Sequence, residues 1–130
     1  MEESKVGKLQ TLAGSYSILR LNPEAVVPNW VLQCSFYSIT KTDDEVSILC
    51  RSNEIQAGDF KREDQWRGFR FAGTLDFSMT GVLNSITAPL ALAKISLFAL
   101  STYDTDYIFI KEAQFQKALE ILKQHHFEMI

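Results

Sequence analysis

The sequence predicts an α+β fold whose second half runs strand, helix, strand, strand, helix, strand, and three observations carry that expectation. Beyond Ser78 the apolar residues Val82, Leu83, Ile86, Leu90 and Ala93 take up helical spacing. Further on, Phe115, Ala118, Leu119 and Leu122 fall at i, i+3, i+4 and i+7. Lys117, Glu120 and Lys123 face outward, which completes the pattern of an amphipathic helix. Between the two helices the apolar runs 95–100 and 107–110 flank Thr102-Tyr103-Asp104-Thr105, as the arms of a β-hairpin do. With 66–72 as opening strand (Trp66, Phe69 and Phe71 its apolar residues) and 127–130 as closing strand, the order is the ferredoxin-like split βαβ unit.

The remaining elements follow in order. Residues 14–21 alternate Tyr16, Ile18 and Arg20 against Ser17, Leu19 and Leu21, a short strand with both faces partly apolar. Pro23 and Pro28 make 22–29 a connecting loop, with a short helical turn expected around Trp30. Residues 36–40 and 46–50 read as a hairpin across Lys41-Thr42-Asp43-Asp44-Glu45, whose Thr and Asp residues favour a tight turn. The polar stretch 51–65, containing Gly58, reads as a short helical turn and a solvated loop. At the first clear helix Ser78 or Thr80 is available as cap, and Pro89 should bend or shorten the helix. The nearly continuous apolar run 95–100 is expected to be a central strand.

An internal repeat underlies this order. Sliding Phe36–Cys50 forward by about 61 residues lays it on Leu97–Lys111, with Asp43 on Asp104 and Glu45 on Asp106. Two units of this length fill the chain. The expected organisation is an N-terminal tail over 1–13, a degenerate first unit over 14–65 and a second unit over 66–130. The first unit is degenerate because a proline-bearing loop replaces its first helix. Only seven strands are expected where two complete units need eight, so the halves should share a sheet or exchange an element.

Composition narrows the function. At 46% hydrophobic and 12% aromatic the chain can build an interior, and its 13 basic and 16 acidic residues are evenly spread. No basic stripe supplies the attraction that nucleic acid requires, so no nucleic-acid partner is expected. No apolar run approaches the roughly 20 residues needed to cross a bilayer, and 1–10 lacks the apolar stretch of a secretory signal. A cytoplasmic protein without membrane contact is the expectation. Cys34 and Cys50, in strand-like segments, read as buried thiols. No phosphate loop, HExxH or Gly-x-Ser-x-Gly occurs. No cofactor and no metal are expected. His125 and His126 follow the last helix and complement its negative end.

Two segments can carry chemistry. In Asp76-Phe77-Ser78-Met79-Thr80-Gly81-Val82-Leu83 a strand meets a helix, and Gly81 lets a ligand approach the unpaired N–H groups of the helix start. The alternative is that Ser78 and Thr80 cap the helix and Gly81 eases packing. In Leu100-Ser101-Thr102-Tyr103-Asp104-Thr105-Asp106-Tyr107, Asp104 and Asp106 can pair with an ammonium, and Ser101 or Thr102 can hydrogen-bond it. The alternative for Asp104 is that it shapes the turn. Asp106 stands at a strand start.

The segments 74–83, Ala88-Pro89-Leu90 and 95–107, together with the upstream 40–48, resemble small bacterial proteins with tandem ACT domains. The resemblance covers roughly residues 14 to 125, and the run Ser-Thr-Tyr-Asp-Thr-Asp-Tyr is its most specific part. The sequence is also similar to the ACT pairs of the cytosolic arginine sensor and, more distantly, of aspartate kinases. The resemblance implies a ferredoxin-like fold and a non-catalytic regulatory module that binds an amino acid or similar effector at the interface of two ACT units. Carried over by position, the ligand would meet Met79, Thr80 and Gly81 in the bend. It would also meet backbone groups of Ser96 and Leu97 in the strand, and Tyr103 and Asp106 at that strand's end. An acidic residue of the arginine sensor's bend corresponds to Met79, so arginine specificity does not follow. The usual proline before the glycine is Thr80 here. The other reading is an interaction module that pairs through its sheet edges as a homodimer and takes no ligand.

Overall fold

A computed structural model describes residues 7–72 and 81–130. Chain contacts divide them into two units. One is Gly14–Trp66, and the other joins the residues before Gly14 to Arg67–Ile130.

The first unit is a sheet covered by irregular chain. Strands β2 (Tyr16–Leu21), β3 (Tyr37–Lys41), β4 (Val46–Arg51) and the opening residues of β5 (Lys61–Phe71) lie in the order β3-β4-β2-β5. All three pairings are antiparallel. Leu19, Leu21, Val46, Ile48 and Cys50 alternate onto one face and bury there with Val31. Ala25, Val27, Trp30, Ile55 and Phe60 pack over them from the linking segments, including the expected helical turn, a 3-10 turn over Asn29–Gln33. Another 3-10 turn spans Ser52–Glu54.

The second unit takes its first strand from the N-terminus. The tail expected over 1–13 contains β1 (Gly7–Thr11), which pairs antiparallel with β5 through Leu9↔Phe71 and parallel with β8 (Phe127–Met129) through Gly7↔Phe127. With β6 (Leu97–Ser101) and β7 (Asp106–Lys111) the order is β6-β7-β5-β1-β8. From β5 onward the chain runs β5, α1 (Val82–Leu92), β6, β7, α2 (Glu112–Gln124), β8, the ferredoxin-like βαββαβ order, with β1 inserted between the first and last strands. Leu9, Phe69, Phe71, Ile108, Ile110 and Phe127 from the sheet meet Ile86 and Leu90 of α1 and Phe115, Ala118, Leu119 and Leu122 of α2. Burying each of the larger side chains contributes about 1.5–3 kcal/mol.

Several expectations are corrected. Eight strands are described, one more than expected, and the extra one is β1. Its single buried residue is Leu9, too sparse a pattern to signal a strand. The charged run 61–64 is strand, not loop, because it pairs with β2 through Arg20↔Lys61, Leu19↔Arg62 and Ile18↔Glu63. A β-bulge lies where the register shifts between Tyr16 and Ile18, with Gln65 at φ 66° and the buried Ser17 hydroxyl donating to Asp64 Oδ1 at 2.6 Å. Among the described residues β6 pairs with β7 alone, so the run expected to be central is an edge. Leu97, Phe98 and Leu100 reach only half-burial there. Pro89 sits inside α1, which continues to Leu92.

Candidate functional site

The second hairpin is built from its turn. Thr102 N–H donates to the Thr105 carbonyl at 2.8 Å, as does the Thr102 hydroxyl at 3.0 Å, and the same hydroxyl oxygen accepts from Thr105 N–H at 3.2 Å. Thr102 therefore makes the turn that the sequence assigned to Asp104. The first hairpin repeats this geometry at Thr42, whose N–H donates to the Glu45 carbonyl at 2.9 Å and whose hydroxyl oxygen accepts from Glu45 N–H at 3.2 Å. The cross-strand pairs match as well: Tyr37↔Cys50 corresponds to Leu97↔Ile110, and Lys41↔Val46 to Ser101↔Asp106. The offset between the hairpins is thus 60 residues (97 − 37 and 110 − 50), not 61. Asp106 takes the place of Val46, so a carboxylate at this position belongs to the second hairpin alone.

That carboxylate is held. Asp106 is half-buried at the first position of β7, and the Ser101 hydroxyl donates to its Oδ1 from the facing strand. Thr105, beside it, is buried. Tyr103 stands out from the turn at 81% exposure.

The start of α1 offers the complementary charge. Gly81 is the N-cap at φ 74°, a left-handed conformation that costs a glycine little, and among the described residues no side chain caps the helix. A Cβ placed on Gly81 would meet nothing within 4 Å among the described residues. The first N–H groups of α1 carry the positive end of the helix dipole and suit a carboxylate. Ser78, Met79 and Thr80 lie outside the described residues, so the cap expected at Ser78 or Thr80 is described only as the backbone of Gly81.

These residues fall at two poles of the unit. A link over 93–96 joins the end of α1 to the start of β6, and in a ferredoxin-like unit the two elements run antiparallel. The helix start at Gly81 therefore lies toward the Ser101 end of β6, the pole of Tyr103 and Asp106. Ser96 is exposed just before β6, and Leu97 opens the strand with its side chain against the core. At about 3.3 Å per residue the Leu97 position is roughly 13 Å from Ser101. Of the expected site residues, Gly81, Tyr103 and Asp106 fall at this pole and Ser96 and Leu97 at the other end of β6, while Met79 and Thr80 lie outside the described residues. Among the described residues no group of three His, Cys, Asp or Glu side chains could hold a metal, and no helix is long and apolar enough to cross a membrane.

Comparison with known proteins bears on the fold. A family model described as ACT domain matches residues 61–124, and a second model, described as an N-terminal domain, matches 14–57. Protein Atu0741 from Agrobacterium tumefaciens is 34% identical over 95% of this chain and 91% of its own, with a TM-score of 0.87. The human cytosolic arginine sensor for mTORC1 subunit 1 is 26% identical over 71% of this chain and 31% of its own length. The human protein CASTOR3P is 30% identical over 60% of this chain and 55% of its own. The chain therefore spans about half or less of the curated relatives it matches. In fold alone, the ligand-free regulatory subunit of aspartate kinase from Thermus thermophilus superposes with a TM-score of 0.66 at 9% identity, over 94% of this chain and 99% of its own.

Proposed function

Because this chain belongs to the ACT domain family, we propose that it is a regulatory module that binds an amino acid or similar small effector without transforming it. The observation that carries the reading is one pole of the second unit. There the start of α1 at Gly81 and the Ser101-oriented carboxylate of Asp106 offer opposite charges to a zwitterion. The helix start takes the ligand's carboxylate and Asp106 its ammonium, with Thr102 and Tyr103 flanking and Met79 and Thr80, which precede Gly81 in sequence, as further candidate contacts. The relative's name associates it with arginine; here Met79 stands in the bend, which argues against a cationic side chain. The 60-residue offset between the hairpins supports a tandem origin, with the first unit diverged. Binding favours one arrangement of the protein over another, a population shift with no bond made or broken.

A thermal-shift screen over the twenty amino acids tests this. At least one should raise the melting midpoint at millimolar concentration, and a ligand at 100 times its Kd stabilises by about 2.7 kcal/mol. No shift with any of them, in a folded protein, would overturn the reading.

One observation favours a second reading. β6 is an edge among the described residues, with Leu97, Phe98, Ala99 and Leu100 in sequence and neither charge nor proline to block a further strand. On that reading two copies pair through β6 and size as a dimer whether or not an effector is present.

A further inference from the structure

The first unit contains a polar cavity remote in sequence from the effector site and used by nothing described so far. It has a volume of about 380 Å³, within the range of small-molecule sites, and lies between the 3-10 turns at Asn29–Gln33 and Ser52–Glu54. It is open to solvent, and its walls are Trp30, Gln33, Cys34, Asn53 and Glu54 with the segment at Ile55 and Gln56. We propose that this cavity is a second ligand site, for a small organic cation bearing a primary ammonium or guanidinium group, with Glu54 as its counter-ion and Trp30 as the surface for its stem.

Three observations lead there. The Glu54 carboxylate is fixed before any ligand arrives: Ser35 N–H donates to Oε2 at 2.9 Å and the Ser35 hydroxyl donates to Oε1 at 2.8 Å. Each oxygen keeps a further lone pair, and a side chain already held in one rotamer loses little freedom on binding. The same two bonds hold its pKa below the usual carboxylate range, so it is charged at neutral pH. Second, the Arg62–Asp64 ion pair does not involve Glu54. Arg51 acts on Glu54 more weakly than the two Ser35 bonds and lies over the Tyr16 ring, 5.8 Å from its centroid. Third, the other polar walls are uncharged amides, Gln33 and Asn53, which can accept from an N–H donor without adding a competing cation. Trp30 is half-buried, braced by Phe60 with ring centroids 6.3 Å apart, and its indole suits the face of a cation or the methylenes behind it.

The test is titration of the full chain, followed by backbone and indole N–H chemical shifts, with 1,5-diaminopentane and agmatine as probes and 1,5-pentanediol as the neutral control. Saturable shifts at Trp30, Ser35 and Glu54 are expected for both amines, with none for the diol. Raising salt from 0.05 to 0.5 M should weaken binding several-fold. Glu54→Gln, close in shape and still able to accept from Ser35, should weaken it about tenfold. Equal shifts with the diol, no saturation, or unchanged affinity in Glu54→Gln would overturn the proposal. Should that variant fail to fold, the diol and salt arms on the unaltered chain decide alone. Shifts confined to Gly81 and Asp106 would also overturn it while leaving the amino-acid reading intact.

Discussion

The Ser101 hydroxyl donates to the Asp106 carboxylate across the last paired position of the second hairpin. This bond has no counterpart in the first hairpin, where the equivalent pair is Lys41 and Val46. A carboxylate oriented by a hydroxyl on a rigid strand is a positioned acceptor for an ammonium. Asp106→Ala should abolish the amino-acid-induced rise in melting midpoint, while the unliganded midpoint moves little because the residue is half-exposed. Ser101→Ala leaves the charge and loses only the orientation, so binding measured by calorimetry should weaken by less than in Asp106→Ala. Equal behaviour of Asp106→Ala and the parent protein toward every amino acid would remove Asp106 from the site.

The two turns make a matched pair of probes. Thr42 and Thr102 each use one hydroxyl oxygen to accept a backbone N–H three residues on. Thr→Ala at either position should cost about 1 kcal/mol in denaturant unfolding, since a backbone donor loses its partner. Thr→Ser should restore most of it. If Thr102→Ala were neutral, the turn would be held by its backbone bonds alone.

Those turns also show what the sequence made legible. The hairpins, α2 and the βαββαβ order announce themselves through period and turn chemistry, and Asp106 was marked out by its place at a strand start. The offset of 61 failed by one residue because similarity was matched on the acidic residues Asp43 and Glu45, whereas the hydrogen bonds are matched on the threonines. β1 went unseen because a strand lying between two others needs few apolar residues of its own when its neighbours supply the pairing. The start of β5 went unseen because its pairing residues are charged and exposed, with no hydrophobic period to read. The place of Ser96 and Leu97 in the expected site rests on position in a family pattern, which carries no information on the length of β6 between them and Ser101.

Gly68 is required by its neighbour. A Cβ there would lie 2.7 Å from Phe109 Cε1, 2.9 Å from Phe109 Cδ1 and 3.1 Å from Leu12 Cδ1. Phe109 is fully buried and stacked on Phe98 with ring centroids 4.9 Å apart, so the ring has little room to withdraw. Gly68→Ala should therefore destabilise by about 1–3 kcal/mol, the usual cost of overpacking. Phe109→Leu removes the obstructing atoms at a cost of its own, and the double variant should be more stable than the two single costs predict. Strict additivity in a double-mutant cycle would show that the contact does not limit this position.

The cysteines should be poor nucleophiles for a reason the fold supplies. Burial pushes the Cys50 thiol up to about 12, and the nearby Cys34 and Glu54 add to the effect. Cys34 is half-buried and is raised too, first by burial and then by Glu54. A disulfide reagent at pH 8 should therefore modify Cys34 slowly and Cys50 only through opening of the fold, because the thiolate is the reacting form. Folding favours the neutral thiol, so the stabilisation tied to Cys50 is complete below the ordinary value of 9.0 and is lost as pH climbs from there toward about 12. Between pH 9 and 10 the parent protein should lose on the order of 1 kcal/mol more unfolding free energy than Cys50→Ala, measured by urea titration at each pH. Parallel pH curves for the two proteins, or rapid modification of both thiols in the folded state, would show that Cys50 is not shielded as its position requires.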